Sequence, residues 1–182
     1  MDIVDAQKDM CKAYYGGATG ALASGLAWLL AALVGFFYSP DKAIVAMYVG
    51  GMFIFPVSVV FSKLMGRSGK HSANNPLGKL ALESTVLMLV CLPLAFVASL
   101  YKMEWFFPAL LLIIGGRYLL FSTLYGLITY WAFAISLVVA AIILVMTQAS
   151  FLMGGFVGAF IEIIFSVFLA IAVRSSVVPV TK

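Results

Sequence analysis

Residues 105–173 read WFFPALLLIIGGRYLLFSTLYGLITYWAFAISLVVAAIILVMTQASFLMGGFVGAFIEIIFSVFLAIAV, and Arg117 and Glu162 are the only charged residues among them. A helix that rises ~1.5 Å per residue needs ~20 apolar residues to cross a ~30 Å hydrocarbon core. The stretch is therefore long enough for three membrane spans, and we divide it near Gly126 and Gln148, where small and polar residues interrupt the apolar run. The predicted spans cover residues 105–126, 127–147 and 150–173.

The first part of the chain has the same character, and its apolar runs predict three earlier spans, over residues 17–38, 43–65 and 77–100. Of the 182 residues, 64% are apolar and 10% are charged, whereas a soluble domain is roughly half apolar and about a quarter charged. We therefore predict an all-α, polytopic integral membrane protein. Its six-helix transmembrane bundle would occupy residues 16–174, and a cytoplasmic tail would follow at residues 175–182.

Residues 1–15 are less apolar and are predicted to form a short amphipathic helix on the cytoplasmic surface of the membrane. Apolar side chains such as Met10 and Tyr14 lie on one helical face, and charged ones such as Asp9 and Lys12 lie on the other. A plain solvated tail is the alternative. Because acidic residues are frequent here, a cleaved signal peptide is disfavoured and we expect the first span to be permanent.

The basic residues near the helix ends predict an orientation. With the N-terminus in the cytoplasm, two basic residues, Lys42 and Lys102, lie outside. Eight lie inside: Lys8, Lys12, Lys63, Arg67, Lys70, Lys79, Arg174 and Lys182. Such an excess is typical of the cytoplasmic side, so we predict both termini inside the cell, with the protein in an inner or plasma membrane.

Four of these basic residues flank or form the polar loop between spans 2 and 3, and two interpretations stay open for them. They could contact anionic lipid headgroups of the bilayer, or they could serve only as topology signals. The four are Lys63, Arg67, Lys70 and Lys79.

The polar residues also exclude several classes of function. The formal charge of +4 is spread between apolar runs, which does not predict a nucleic-acid partner. Cys11 precedes span 1 and Cys91 lies inside span 3, so no disulfide is expected. His71 has no Cys, Asp or Glu at metal-binding spacing, and we predict neither a metal site nor a cofactor. The chain also lacks the clustered acids, bases and nucleophiles of an intramembrane enzyme, so we predict no enzymatic activity.

Small residues recur at four-residue spacing on two spans, as Gly16, Gly20 and Ser24 on span 1 and as Gly154 and Gly158 on span 6. Such rows let two helices approach closely. Packing within one chain and packing between chains both fit this pattern. We expect a homo-oligomer, either a dimer or a larger assembly.

Glu83, Arg117 and Glu162 are the charged residues that lie well inside predicted spans 3, 4 and 6, more than one helical turn from the nearest span end. A charge within the hydrocarbon core costs at least ~2.5 kcal/mol, so each should have a compensating partner. Counting the helix rise from the nearest span ends places all three near one level of the inner half. We hypothesise that Arg117 is shared between the two carboxylates. In the alternative, Glu83 pairs with Lys79 one turn back.

Two functions fit this charged group. One carboxylate in excess of Arg117 could carry a proton or bind a cation, which favours a transporter- or channel-like protein for a proton, an ion or a small solute. The alternative is a non-catalytic scaffold or regulatory partner in which the group is a structural clamp. A solvent-lined cavity reaching Glu83 or Glu162 would favour transport, and a dry, clamped core would favour the scaffold.

Overall fold

Seven α-helices make up most of the described chain. The computed structural model describes the backbone of residues 1–177 and the side chains of residues 1–174. The helices are α1 (Ile3–Tyr14), α2 (Ala18–Phe37), α3 (Pro40–Leu64), α4 (Leu77–Tyr101), α5 (Phe106–Tyr125), α6 (Thr129–Met146) and α7 (Phe151–Val177). No strand occurs in residues 1–177, which confirms the all-α fold for that part. Residues 178–182 of the predicted tail, which include Lys182, lie outside the described residues.

Among residues 1–177, six helical segments are long and apolar enough to cross a membrane. They correspond to α2–α7, with α1 continuing the first of them beyond a bend. Local signals set several ends. Ser39 caps α3 by accepting a hydrogen bond from the Lys42 N–H, and Gly126 ends α5 in a left-handed conformation. α7 continues to Val177, four residues beyond the predicted end of the sixth span at residue 173.

Neighbouring helices in the bundle follow the order α3, α2, α7, α6, α5 and α4. α2 packs along α3 on one side and along α7 on the other, while α7 also packs against α6 and α5, and α4 packs against α5. The Tyr48 hydroxyl of α3 donates to the Leu92 carbonyl of α4 at 3.0 Å, which connects the two outer helices. α7 therefore lies between α2 and α6, although it is the last of the described helices.

An aromatic column joins the last three helices. The ring of Phe133 on α6 stacks on Tyr118 of α5 and on Phe165 of α7, with centroids 4.2 and 4.6 Å apart. Beside it, the buried Tyr130 donates its hydroxyl to the Gly16 carbonyl at 2.8 Å. The column thus connects the centre of the bundle to the junction between α1 and α2.

A sharp bend separates α1 from α2. Tyr15, Gly16 and Gly17 have φ angles of 53°, 60° and 80°, a left-handed conformation that glycine adopts without steric cost. A Cβ at Gly16 would overlap Val173, and a Cβ at Gly17 would overlap the Tyr130 hydroxyl. Gly16 therefore belongs to the bend, and its predicted place in a helical row on span 1 is wrong.

α1 packs against the bundle as an amphipathic helix, and the predicted apolar face is buried in part, at Met10. Its buried residues are Ala6, Met10 and Ala13. Ile3 and Val4, two further apolar residues at the start of the helix, are about half exposed. The helix contacts α5 through Gln7 and Cys11, which hydrogen-bond to the carbonyls of Thr123 and Tyr125.

Candidate functional site

Glu162 is the only fully buried charged side chain among residues 1–174. Its Oε2 accepts a hydrogen bond from the Tyr118 hydroxyl at 2.7 Å, whereas its Oε1 has no hydrogen-bond partner in the described chain. It makes no ion pair with any described residue. A buried carboxylate without a counter-charge costs several kcal/mol unless a proton or a cation accompanies it.

Three helices place this carboxyl group in the middle of the bundle. α7 carries Glu162 eleven residues after Phe151, about 16 Å along the helix. α2 approaches closely at Gly25, where an added Cβ would lie 3.1 Å from the Glu162 Cβ. The neighbouring Ser24 is buried, and its hydroxyl lies beside the same carboxyl group. Ser24, which the sequence placed in a packing row, therefore belongs to a polar site.

A second unpartnered polar atom lies one helical turn away on α2. Trp28 is fully buried, and its Nε1–H has no acceptor among the described residues. Its ring packs directly over Gly158, one turn before Glu162 on α7. Adjacent turns of two packed helices thus carry an unused donor and an unused acceptor. Sequence reasoning missed Trp28, because a tryptophan in an apolar helix gives no signal beyond that of a core residue.

Arg117 lies near this site but faces α4. Its guanidinium donates to Thr85 Oγ1 at 3.1 Å and to Met88 Sδ at 3.3 Å, and its central carbon lies 4.9 Å from the centroid of the Phe121 ring. Its Nε is buried and has no hydrogen-bond partner within residues 1–174. Arg117 therefore connects α5 to α4 through neutral partners.

The predicted sharing of Arg117 between the two carboxylates is not formed, since no ion pair joins it to Glu83 or Glu162 in the described structure. Successive residues on a helix point about 100° apart. Tyr118, the next residue, faces Glu162 instead. Counting residues gives the depth of a side chain along a helix but not its direction around the helix.

Glu83 lies on the outside of α4, where its carboxylate is 3.9 Å from the Lys79 ammonium. The side chains are 60% and 83% exposed, respectively, so this pair contributes little to stability. This arrangement is the alternative that the sequence left open. Of the three charged residues predicted to meet, only Glu162 belongs to the central site.

The glycines at four-residue spacing on α7 contact other helices of the same chain. Gly154 packs against Phe107 of α5, and Gly158 packs against Trp28 of α2. An added Cβ at Gly20 of α2, by contrast, would have no neighbour within 4 Å. The row on α7 therefore serves to bring helices of one chain together.

A second polar site lies where the α3–α4 loop (residues 65–76) meets α1. It is a pocket of about 420 Å³, lined by Asp9, Lys12, Ala13, Gly66, Arg67, Ser68 and Lys70. Lys63 and Lys79, which the sequence grouped with Arg67 and Lys70, do not line it. No cluster of three or more His, Cys, Asp or Glu suited to a metal ion occurs in the part of the chain that the structure describes.

Comparison with known proteins identifies one family. No curated protein and no solved structure matches the chain. The model of DUF7010, described as a family of unknown function, matches residues 3–172. The matched region contains Ser24, Tyr118 and Glu162 of the central site and all residues that line the pocket at the α3–α4 loop. The chain therefore belongs to the DUF7010 family.

Proposed function

We propose that the protein is a proton-coupled membrane transporter in which the Glu162 carboxyl takes up and releases the proton. The observation that carries this proposal is that Glu162 is fully buried, has one oxygen hydrogen-bonded and makes no ion pair with any described residue. A carboxylate that serves only to hold helices together is usually buried with its cation. Unpaired acids inside membrane helices are typical of proton pathways.

The neighbours of Glu162 suit both of its protonation states. A phenol hydroxyl donates to an ionised carboxylate and can accept from a protonated one, so Tyr118 keeps a hydrogen bond in either case. The Ser24 hydroxyl has the same capacity. The unused Nε1–H of Trp28, one turn away, could bind an acceptor atom of a solute. We therefore expect the co-transported substrate to be a small polar molecule.

In this proposal the described conformation is an occluded state, because Glu162 has no exposed surface. Transport then requires α7 to move against α2. The close approaches at Gly25 and Gly158 are the contacts that such a movement would open and close. Alternating access by one group of helices rocking against another works in this way in many carriers.

A scaffold or regulatory partner is the second candidate. The most apolar segments of α3 and α4 are 17% and 11% buried, against 33–44% for the other long helices. These two helices therefore offer the largest free surface to a partner helix. A clamp between Arg117 and Glu162 does not support this candidate, since the two residues are not paired in the described structure.

Proton flux into proteoliposomes that enclose a pH-sensitive dye tests the transport proposal. A pH gradient is imposed with and without gradients of small polar solutes. We expect wild-type protein to change the internal pH faster than protein-free vesicles, and Glu162→Gln to lose most of this flux, since the amide has almost the same shape but cannot release a proton. Tyr118→Phe should give an intermediate rate.

Glu83→Gln is the matched control, because it makes the same chemical change at an exposed carboxylate. It should retain the wild-type rate. Thermal unfolding of each variant in detergent shows whether a lost flux reflects a lost fold. If folded Glu162→Gln supports the same flux as wild type under every gradient, the proposed role of this carboxyl group is wrong.

A further inference from the structure

The pocket between α1 and the α3–α4 loop has a chemistry of its own. Three of its lining side chains are cationic, Lys12, Arg67 and Lys70, and Asp9 is its single carboxylate. We propose that this pocket binds the phosphate group of an anionic ligand, supplied either by a phospholipid headgroup or by a soluble phosphate compound. The site is separate from Glu162 and does not depend on the transport proposal.

The carboxylate of the pocket already has partners. Asp9 accepts hydrogen bonds from the backbone N–H and the hydroxyl of Ser72, at 2.9 and 3.0 Å, and from the Asn75 side-chain amide at 2.8 Å. None of the three basic side chains forms an ion pair with a described residue. The pocket therefore has an excess of positive charge that an anion would neutralise.

Arg67 is held in place before any ligand arrives. Its side chain is half-buried, and its guanidinium carbon lies 5.2 Å from the centroid of the Tyr15 ring. The Tyr15 hydroxyl in turn accepts a hydrogen bond from Arg174 Nε at 2.9 Å, which fixes the ring. A guanidinium that stacks on an aromatic face keeps its N–H edge free, and this edge binds phosphate oxygens in pairs.

The loop is folded so that its basic residues border one pocket. The Ser68 hydroxyl donates to the Lys70 carbonyl and accepts from the Lys70 N–H, and the Gly69 N–H donates to the Ala13 carbonyl of α1 at 3.0 Å. Gly66 and Gly69 have φ angles of 73° and 64°, which allow the two tight turns. The backbone that carries Arg67 and Lys70 is thus fixed to α1.

The position of the pocket suits a headgroup phosphate as well as a soluble one. Leu64 and Met65, directly before the pocket residues, are 79% and 51% exposed. The pocket therefore lies where an apolar helix surface meets a polar loop, which is the level of lipid headgroups in a bilayer. Its cations would attract phosphate from either source.

Thermal unfolding of the full-length protein in neutral detergent tests this proposal with three probes. Dioctanoyl phosphatidic acid carries a phosphate on a lipid, dioctanoylglycerol is the same lipid without it, and glycerol 3-phosphate carries the phosphate without acyl chains. We expect phosphatidic acid to raise the unfolding midpoint and dioctanoylglycerol not to raise it. A rise with glycerol 3-phosphate identifies a soluble source, and a rise with phosphatidic acid alone identifies a headgroup. If neither phosphate raises the midpoint, the proposal is overturned.

Two double variants distinguish binding of the phosphate in this pocket from a general attraction between the basic protein and an anion. Arg67→Gln with Lys70→Gln should weaken the apparent affinity for the active probe at least about tenfold, ~1.4 kcal/mol. The control, Lys63→Gln with Lys79→Gln, removes the same charge outside the pocket and should change the affinity less than about twofold. Equal losses in both double variants would overturn the pocket. Lys70→Gln alone alters an exposed side chain, so a weaker affinity there supports the site even if the Arg67 variant fails to fold.

Discussion

At the scale of single residues, two neighbours on α5 connect different parts of the protein. Arg117 reaches α4 through Thr85 and Met88, and Tyr118 reaches the Glu162 carboxyl on α7. The two bonding directions follow from the turn of about 100° between successive helical residues. A rotation of α5 would therefore change its contacts with the outer helix and with the central site together.

A glycine next to the central site should be sensitive to one added methyl group. A Cβ at Gly158 would overlap the Trp28 ring, so we expect Gly158→Ala to lower stability by ~1–3 kcal/mol through overpacking. Gly116→Ala is the matched control, because an added Cβ there has no neighbour within 4 Å and alanine favours a helix by up to about 1 kcal/mol. Thermal unfolding in one detergent compares them. Equal midpoints would show that Trp28 can move aside at little cost.

At the scale of helices and loops, α1 and the α3–α4 loop form one unit that polar side chains hold together. Asn75 and Ser72 bind Asp9, and the Tyr14 hydroxyl is hydrogen-bonded to His71 Nδ1 at 2.8 Å. The hydrogen bond from Asn75 is the main reason that the pKa of Asp9 lies below its usual value. Its stabilising effect is thus complete above the unfolded pKa of ~3.9 and is lost as the pH falls through the lower folded pKa.

The reactivity of Cys11 should report whether this unit is docked. Burial raises the pKa of the Cys11 thiol to about 11, so it should react slowly with a maleimide at pH 8. With Cys91 replaced by serine, Asp9→Asn should speed labelling severalfold, because the charged acceptor for the loop is lost. Asp5→Asn, at an exposed carboxylate on the same helix, should leave the rate unchanged. Equal rates in all three proteins would show that Asp9 does not control docking.

Acid should have the same effect as the Asp9 substitution. Amide hydrogen exchange at residues 72–75, compared between wild type and Asp9→Asn at each pH, should be slower in wild type near neutral pH. The difference should shrink once the pH falls below the unfolded pKa of ~3.9 and should disappear as the pH passes through the lower folded pKa of Asp9, where the native carboxylate takes up a proton. A difference that does not shrink between neutral pH and pH 2 would contradict this explanation.

The sequence predicts which segments are helical better than it predicts which side of each helix packs against its neighbours. Length and hydropathy locate the six long helices, and local residues such as Pro40 and Gly126 mark ends that the structure also shows. In a soluble helix an apolar stripe reveals the buried side. Helices as apolar as α5 have no such stripe, since lipid and protein interior are equally apolar. The sequence could indicate that Glu162 lies inside the bundle, because a charge is costly in an apolar helix. It could not indicate that Tyr118 and Trp28 lie near this carboxyl group.

At the scale of the whole molecule, α1, the α3–α4 loop and the last described residues of α7 lie together at one end of the bundle. The hydrogen bond from Arg174 Nε to the Tyr15 hydroxyl links the first and last helices there. Most of the basic residues near helix ends lie at this end, while Lys42 and Lys102 lie at the other. The predicted orientation therefore places the pocket at the α3–α4 loop in the cytoplasm.

Single cysteines in a background without Cys11 and Cys91 test this orientation. Asn74 and Lys42 are exposed positions at opposite ends of the bundle. In intact cells, a membrane-impermeant maleimide should label Lys42→Cys and should label Asn74→Cys only after the membrane is opened. Labelling of Asn74→Cys in intact cells, with Lys42→Cys protected, would reverse the orientation.

The packing of α7 against α2 also has a consequence for biosynthesis. Of the six long helices described here, α2 leaves the ribosome first, yet its partner α7 leaves it after the other five. Until residue 151 and those after it are made, Ser24 and Trp28 lack the helix against which they pack. If the chain is inserted into a membrane during synthesis, as the sequence predicts, this surface faces lipid or the insertion machinery until then, and α2 gains its partner only when the helix that carries Glu162 is made.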